Sequence, residues 1–103
     1  MLKYTTVEKN DFLLVSLEGD LDIEGTEVVN EELIPELVHY HSINISLEKV
    51  PFVDSSGMGL LISLVNTLKE QNVKITISDV QDDVFEVFEL IQLPEILGEE
   101  VFI

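Results

Sequence analysis

The fold is decided at Val53-Asp54-Ser55-Ser56-Gly57-Met58-Gly59, where an apolar run ends and a helical pattern begins. Hydroxyls and glycines at such a junction are typical of a strand that turns into a helix. The first turn of a helix has N–H groups without intrahelical partners and carries the positive end of the helix dipole. It suits a capping side chain or a bound or covalent phosphate, and we expect Ser56 to be that position.

Alternating apolar and polar residues predict strands on both sides of this junction. The first two strands read as an antiparallel hairpin, because Asn10-Asp11 separates them. The strands are predicted at 2–7, 11–18, 42–50, 73–78 and 101–103.

Apolar residues at helical spacing predict three helices, at 26–39, 56–71 and 79–91. Thr26 is the expected N-cap of the first helix, and Pro35 should kink or split it. Pro94 and Gly98 break the chain after the third helix. The order β-β-α-β-α-β-α-β predicts an α/β fold, a mixed β-sheet with helices packed on it, and places Ser56 at the carboxyl end of a strand.

The composition predicts a single domain over residues 1–103, since 46% of these residues are hydrophobic and can form a modest core. The sequence has no cysteine, which excludes disulfides, thiolate metal sites and a cysteine nucleophile. No apolar run reaches the length of a membrane span. We therefore expect a cytoplasmic protein with no membrane partner.

The charge is strongly acidic, with five lysines and arginines against 21 aspartates and glutamates and a formal net charge of −16. Such a chain repels nucleic acid and anionic membranes and disfavours free phosphate ligands. A protein with a basic face is the expected partner, although the acidity also serves solubility alone.

Two motifs support a family resemblance. Gly19-Asp20-Leu21-Asp22, followed by Phe52–Leu60 with its Asp-Ser-Ser-Gly-Met-Gly core, resembles the STAS domain of bacterial anti-sigma factor antagonists. The resemblance extends over nearly the full length and implies a STAS-like sheet. It also implies that Ser56 is phosphorylated by a partner that is both anti-sigma factor and serine kinase, and that a serine phosphatase resets the protein.

The same resemblance places Asp22 and Asp54 beside the phosphoacceptor. From the spacing, Asp54 or Ser55 caps the helix, and Gly57 and Gly59 allow a partner to approach closely. We therefore assign the partner-binding or adjacent positions to a set drawn from both motifs: Asp22, Asp54, Ser55, Gly57, Met58 and Gly59. The chain departs from the family pattern after the serine, where Ser63–Asn66 replace residues that are basic in many members.

Other functions remain as alternatives. The same fold could be a non-switching scaffold or accessory subunit of a signalling or transporter complex. Residues 20–31 partly match a calcium loop, which leaves a small acidic metal- or ligand-binding domain as a second alternative, although the preceding segment is strand-like rather than helical.

Catalysis and cofactor binding find little support in the sequence. Ser56 lacks the Gly-x-Ser-x-Gly elbow of hydrolases, and neither His39 nor His41 falls near it in the predicted layout. We expect no enzyme activity, no resident metal and no cofactor, and the two histidines are interpreted as surface groups near a helix end.

Overall fold

A four-stranded mixed sheet forms the framework of the protein in a computed structural model that describes residues 1–103. The strands lie in the order β1-β2-β3-β4; β1 and β2 are antiparallel, and β2, β3 and β4 are parallel. The α/β class, the mixed sheet and the opening hairpin are as predicted. The strands are β1 (Lys3–Glu8), β2 (Leu13–Glu18), β3 (Ser42–Lys49) and β4 (Lys74–Ser78).

Helical segments connect the strands and follow β4. The long helix α2 joins β3 to β4, and the shorter segments lie between β2 and β3 and after β4. In chain order they are a 3-10 turn (Ile23–Gly25), a π-helical segment (Val28–Leu33), α1 (Ile34–Leu37), α2 (Ser55–Glu70), α3 (Asp82–Leu90), α4 (Leu93–Leu97) and a 3-10 turn (Glu99–Val101). No helix combines the length and the apolarity needed to cross a membrane.

The hydrophobic core lies on one face of the sheet, where alternate strand residues are buried under the helices. On β2 and β3 these residues are spaced two apart, as the pleat requires. From α2 the predicted apolar stripe is buried against them, so the sequence pattern identified this helix correctly. The buried stripe comprises Leu60, Leu61, Leu64, Val65 and Leu68.

The segment around Pro35 is helical but not uniformly α-helical. The chain runs as a π-helix over Val28–Leu33, where the N–H of Ile34 donates to the carbonyl of Val29, and becomes α-helical one residue before the proline. Proline has no N–H to donate and fits best in the first turn of an α-helix. The predicted effect of Pro35 therefore takes the form of a change in helix type.

The predicted N-cap at Thr26 is wrong. Asp22 caps the helical segment instead, because its Oδ1 accepts a hydrogen bond from the N–H of Glu24 at 3.0 Å. The Thr26 hydroxyl donates to the carbonyl of Ile23 at 2.7 Å, at the C-cap of the 3-10 turn. Helical structure begins before Thr26 because a carboxylate in the preceding loop already supplies the missing acceptor.

The C-terminal region corrects the predicted element order. Helix α4 occupies Leu93–Leu97, because Pro94 lies in its first turn, where proline is tolerated, rather than ending helical structure. The predicted strand at 101–103 is reduced to one parallel bridge between Phe102 and Ile77. The Phe102 ring packs against the rings of Phe85 and Phe88, with centroids 5.9 and 6.0 Å apart, and this holds the segment at the edge of β4.

Tyr40, two residues before β3, has a raised phenol pKa that can be measured. Burial raises the pKa of its phenol above the ordinary value of 10.0, and the Glu8 carboxylate, which accepts the phenol's hydrogen bond at 3.3 Å, raises the pKa further. The folded state therefore holds this proton to higher pH than the unfolded state. The corresponding stability is fully present below pH 10 and is lost as the pH rises through the folded pKa.

We expect a titration of phenolate absorbance to show both tyrosines of the native chain ionising above 10.0, since the pKa of Tyr4 is also raised, first by burial. In guanidinium chloride both should ionise at about 10. Tyr40→Phe should remove one of the two native steps. A native Tyr40 step at or below the denatured value would contradict the contact with Glu8.

Candidate functional site

Asp54 positions the first turn of α2. Its backbone is extended, and its Oδ1 accepts a hydrogen bond from the N–H of Gly57 at 2.8 Å, which makes it the N-cap. Ser55 is thus the first helical residue and Ser56 the second. Both serine side chains are exposed. Because the carboxylate of Asp54 does the capping, the Ser56 hydroxyl is not needed for that role.

A second loop, residues 19–25 after β2, is joined to the loop at residues 50–54 before α2 by the backbone of Leu21. Its N–H donates to the carbonyl of Phe52 at 2.9 Å, and its carbonyl accepts from the N–H of Asp54 at 3.3 Å. Leu21 and Val53 form a parallel bridge, and both side chains are buried. Since side chains alternate along extended backbone, the next residues, Asp22 and Asp54, lie side by side on the opposite face. The structure therefore brings the two predicted aspartates together at the start of α2.

The two glycines of the motif have different environments. A Cβ on Gly57 would lie 1.8 Å from the carbonyl oxygen of Leu21, so this glycine allows the helix to contact the second loop. A Cβ on Gly59 would meet no atom within 4 Å, and Gly59 is exposed. The absence of a side chain at Gly59 is therefore not required by any contact within the chain.

The residues of the serine motif differ in exposure. Gly57 and Met58 are buried, so they lie beneath the surface of the motif, next to Ser56 in the chain. The exposed positions are Ser55, Ser56 and Gly59. Further along α2, Ser63 and Asn66 are also exposed, which gives this helix a face of small polar side chains.

The acidic segment 20–31 does not form a cluster of ligands. Nowhere in the chain do three histidine or carboxylate side chains come together in an arrangement that could hold a metal ion. The segment folds as the capped 3-10 turn and the start of the π-helical segment. His39 and His41 are both exposed.

Two exposed apolar side chains near the site were not among the predicted site residues. Ile23 follows Asp22 and is 69% exposed, and Phe52 precedes Val53 and is 50% exposed. Both belong to the loops joined by the Leu21–Val53 bridge. Ile23 directly follows the first motif and Phe52 begins the second, but the exposure of these side chains depends on how the two loops pair.

The sequence model of the STAS domain family matches residues 3–102. The chain belongs to the STAS domain family. The anti-sigma-B factor antagonist of Staphylococcus epidermidis is 25% identical over 97 residues, which cover 93% of this chain and 90% of that protein.

Solved structures of two proteins show the same fold. An anti-sigma factor antagonist from Mycobacterium paratuberculosis superposes with a TM-score of 0.78 at 17% identity, covering 95% of this chain and 84% of the other. The Bacillus cell fate determinant SpoIIAA in its phosphorylated form superposes with a TM-score of 0.68 at 19% identity, covering 98% of this chain and 89% of the other. The fold is therefore that of the STAS domain.

Proposed function

We propose that this STAS domain is an anti-sigma factor antagonist switched by phosphorylation of Ser56. With a neutral Ser56 it binds an anti-sigma factor and so releases the sigma factor. The same partner, acting as a serine kinase, phosphorylates Ser56 and dissociates, and a serine phosphatase restores binding. The observation that carries this proposal is the exposed hydroxyl of Ser56 in the first turn of a helix that Asp54 already caps.

The surroundings of Ser56 suit a hydroxyl that gains and loses a charge. Phosphorylation adds about −1.5 to −2 charges at neutral pH. The dipole of α2 stabilises that charge by about 0.3–1 kcal/mol, while the neighbouring Asp22 and Asp54 oppose it. Because these two effects oppose each other, phosphorylation should change the stability of the fold little. The added charge should instead act mainly on the affinity for a partner that covers Ser56.

The relatives support this function. The S. epidermidis protein is named an anti-sigma-B factor antagonist, and the Bacillus protein of the same fold has been solved in a phosphorylated form. In this chain the small exposed residues Ser55, Ser56 and Gly59 allow another protein's backbone to approach the start of α2.

Phosphate mapping is the direct test. The chain is mixed with ATP and its cognate anti-sigma factor kinase, sought as a small ATP-binding protein encoded beside it, and the labelled residue is identified by mass spectrometry. We expect phosphate on Ser56 alone and none on the Ser56→Ala variant. Ser55→Ala is the matched control and should still be labelled. Phosphate at another residue would contradict the site, and no phosphate together with co-purification in a large assembly would support the scaffold alternative.

A further inference from the structure

An exposed apolar residue lies in the loop that leads into α2. Phe52, two residues before the capping Asp54, is 50% exposed. Its main-chain carbonyl accepts a hydrogen bond from the N–H of Leu21, so the backbone of Phe52 is bonded within the chain although the residue is half exposed. A single exposed apolar residue needs no special explanation. Phe52, however, also lines a hollow in the surface, and this suggests that its exposure has a function.

The hollow lies between the loop and helix α3. It has a volume of about 250 Å³ and is mostly apolar, with Asp83 as its one charged group. The lining residues are Pro51, Phe52, Val53, Asp83, Val84 and Val87. Pockets for small-molecule ligands usually measure about 300–1,000 Å³, so this volume fits an inserted side chain better than a metabolite.

The chemistry of the surroundings identifies the kind of occupant. The chain carries a formal charge of −16, so its long-range field attracts basic partners without selecting among them. Tight protein interfaces depend on a few apolar anchors in desolvated pockets, with charged groups at the rim. The hollow and Phe52 offer such a pocket, and Asp83, which is exposed, supplies the charged group in its lining.

We propose that this hollow receives one large apolar side chain of the anti-sigma factor that covers Ser56, and that Phe52 is the anchor residue on this chain. The proposal rests on the proposed function, since the hollow is joined to Ser56 through Val53 and Asp54 and one partner would cover both. It extends the partner surface from the start of α2 onto α3. It also offers a source of affinity in a chain whose α2 has no basic residues at 63–66.

The test measures the affinity of the purified cognate anti-sigma factor kinase for variants of the full chain by isothermal titration calorimetry. Phe52→Ser should raise the Kd about tenfold or more, and Phe52→Leu should restore most of the affinity. Val87→Phe should also raise the Kd, because a larger side chain fills the hollow without removing an apolar group. Circular dichroism melts confirm that each variant is folded.

Ile96→Ser is the matched control, because Ile96 is 56% exposed and lies on α4. Helix α4 is held at the far end of α2, where the Nζ of Lys69 donates to the carbonyl of Leu97 at 2.6 Å. At 1.5 Å per residue, that end is about 20 Å from Ser56. Ile96→Ser should bind like the wild-type chain.

Salt distinguishes an apolar anchor from an electrostatic effect. At about 1 M ionic strength charges are screened beyond about 3 Å, so a loss caused by altered electrostatics should shrink, whereas the loss in Phe52→Ser should persist. Wild-type affinity in both Phe52→Ser and Val87→Phe would overturn the anchor, while loss of binding in Ser56→Asp would still support the proposed function. If the wild-type chain does not bind the kinase, both proposals fail.

Discussion

Replacing Gly57 by alanine should lower the thermal midpoint of unfolding by about 12 °C or more, which corresponds to about 3 kcal/mol in a domain of this size. The new Cβ would lie 1.8 Å from the carbonyl oxygen and 2.6 Å from the carbonyl carbon of Leu21. Both atoms are backbone, so no side-chain rotation relieves the clash. Helix α2 must move away from the second loop, and the bond from the N–H of Asp54 to Leu21 is lost with it.

Gly59→Ala is the matched control, since it makes the same change two residues later in the same helix. Its Cβ would meet no atom within 4 Å, and alanine is about 1 kcal/mol more favourable than glycine inside a helix. We expect this variant to melt about 4 °C or more above the wild-type chain. Thermal melts followed by circular dichroism measure both variants. Equal midpoints for Gly57→Ala and the wild-type chain would mean that α2 does not contact Leu21.

The contrast between the two glycines bears on function. Gly57 is explained by the fold, whereas Gly59 costs helix stability and no contact within the chain requires it. On a helix, residues three apart share a face, so Gly59 lies on the same face as Ser56. A protein that binds over Ser56 would therefore also meet the open position at Gly59. Gly59→Ala should combine a more stable fold with weaker binding of the partner.

The sequence predicted the structure correctly where short-range patterns of residues determine it. The alternation in β3 and the apolar stripe of α2 predicted elements that the structure confirms, because burial of one face imposes a period on the sequence. Asp54 was one of two residues predicted as the cap of α2, and its carboxylate fills that role. These features depend on residues no more than a few positions apart.

Features that depend on contacts between distant segments of the chain could not be predicted from the sequence. The contact between Gly57 and Leu21 joins residues far apart in the chain. Pro35 and Pro94 show a different difficulty, since proline ends a helix when placed inside it and is tolerated in its first turn. Only the location of each helix start, which the neighbouring segments determine, tells these cases apart.

We expect Ser56→Asp to weaken binding of the cognate anti-sigma factor kinase about 100-fold or more, and Ser56→Ala to retain it. The aspartate places a negative charge where the partner would cover a neutral hydroxyl, beside Asp22 and Asp54. A charge buried in an interface without a partner costs about 3–5 kcal/mol. Removing the hydroxyl loses no charge pair and leaves the exposed face of α2 unchanged. Isothermal titration calorimetry of the two variants measures the difference.

Asn72→Asp separates this local effect from the general effect of one more negative charge. Asn72 is exposed in the turn after α2, with a positive φ of 63° that aspartate tolerates as asparagine does. It lies about 24 Å along the helix axis from Ser56, beyond the Debye length at physiological ionic strength. Asn72→Asp should therefore bind like the wild-type chain. Equal affinities of Ser56→Asp and Asn72→Asp would show that charge at Ser56 does not control the interface.

The stability of Ser56→Asp completes the test, because a switch that acts by unfolding would give the same loss of binding. The helix dipole favours an acidic side chain in the first turn by about 0.3–1 kcal/mol, and repulsion from Asp22 and Asp54 opposes that gain. The midpoint of unfolding should therefore change by only a few degrees while the affinity falls. A large drop in that midpoint would instead mean that charge at Ser56 separates the two loops at the Leu21–Val53 bridge, and that phosphorylation acts on the fold rather than on the partner's surface.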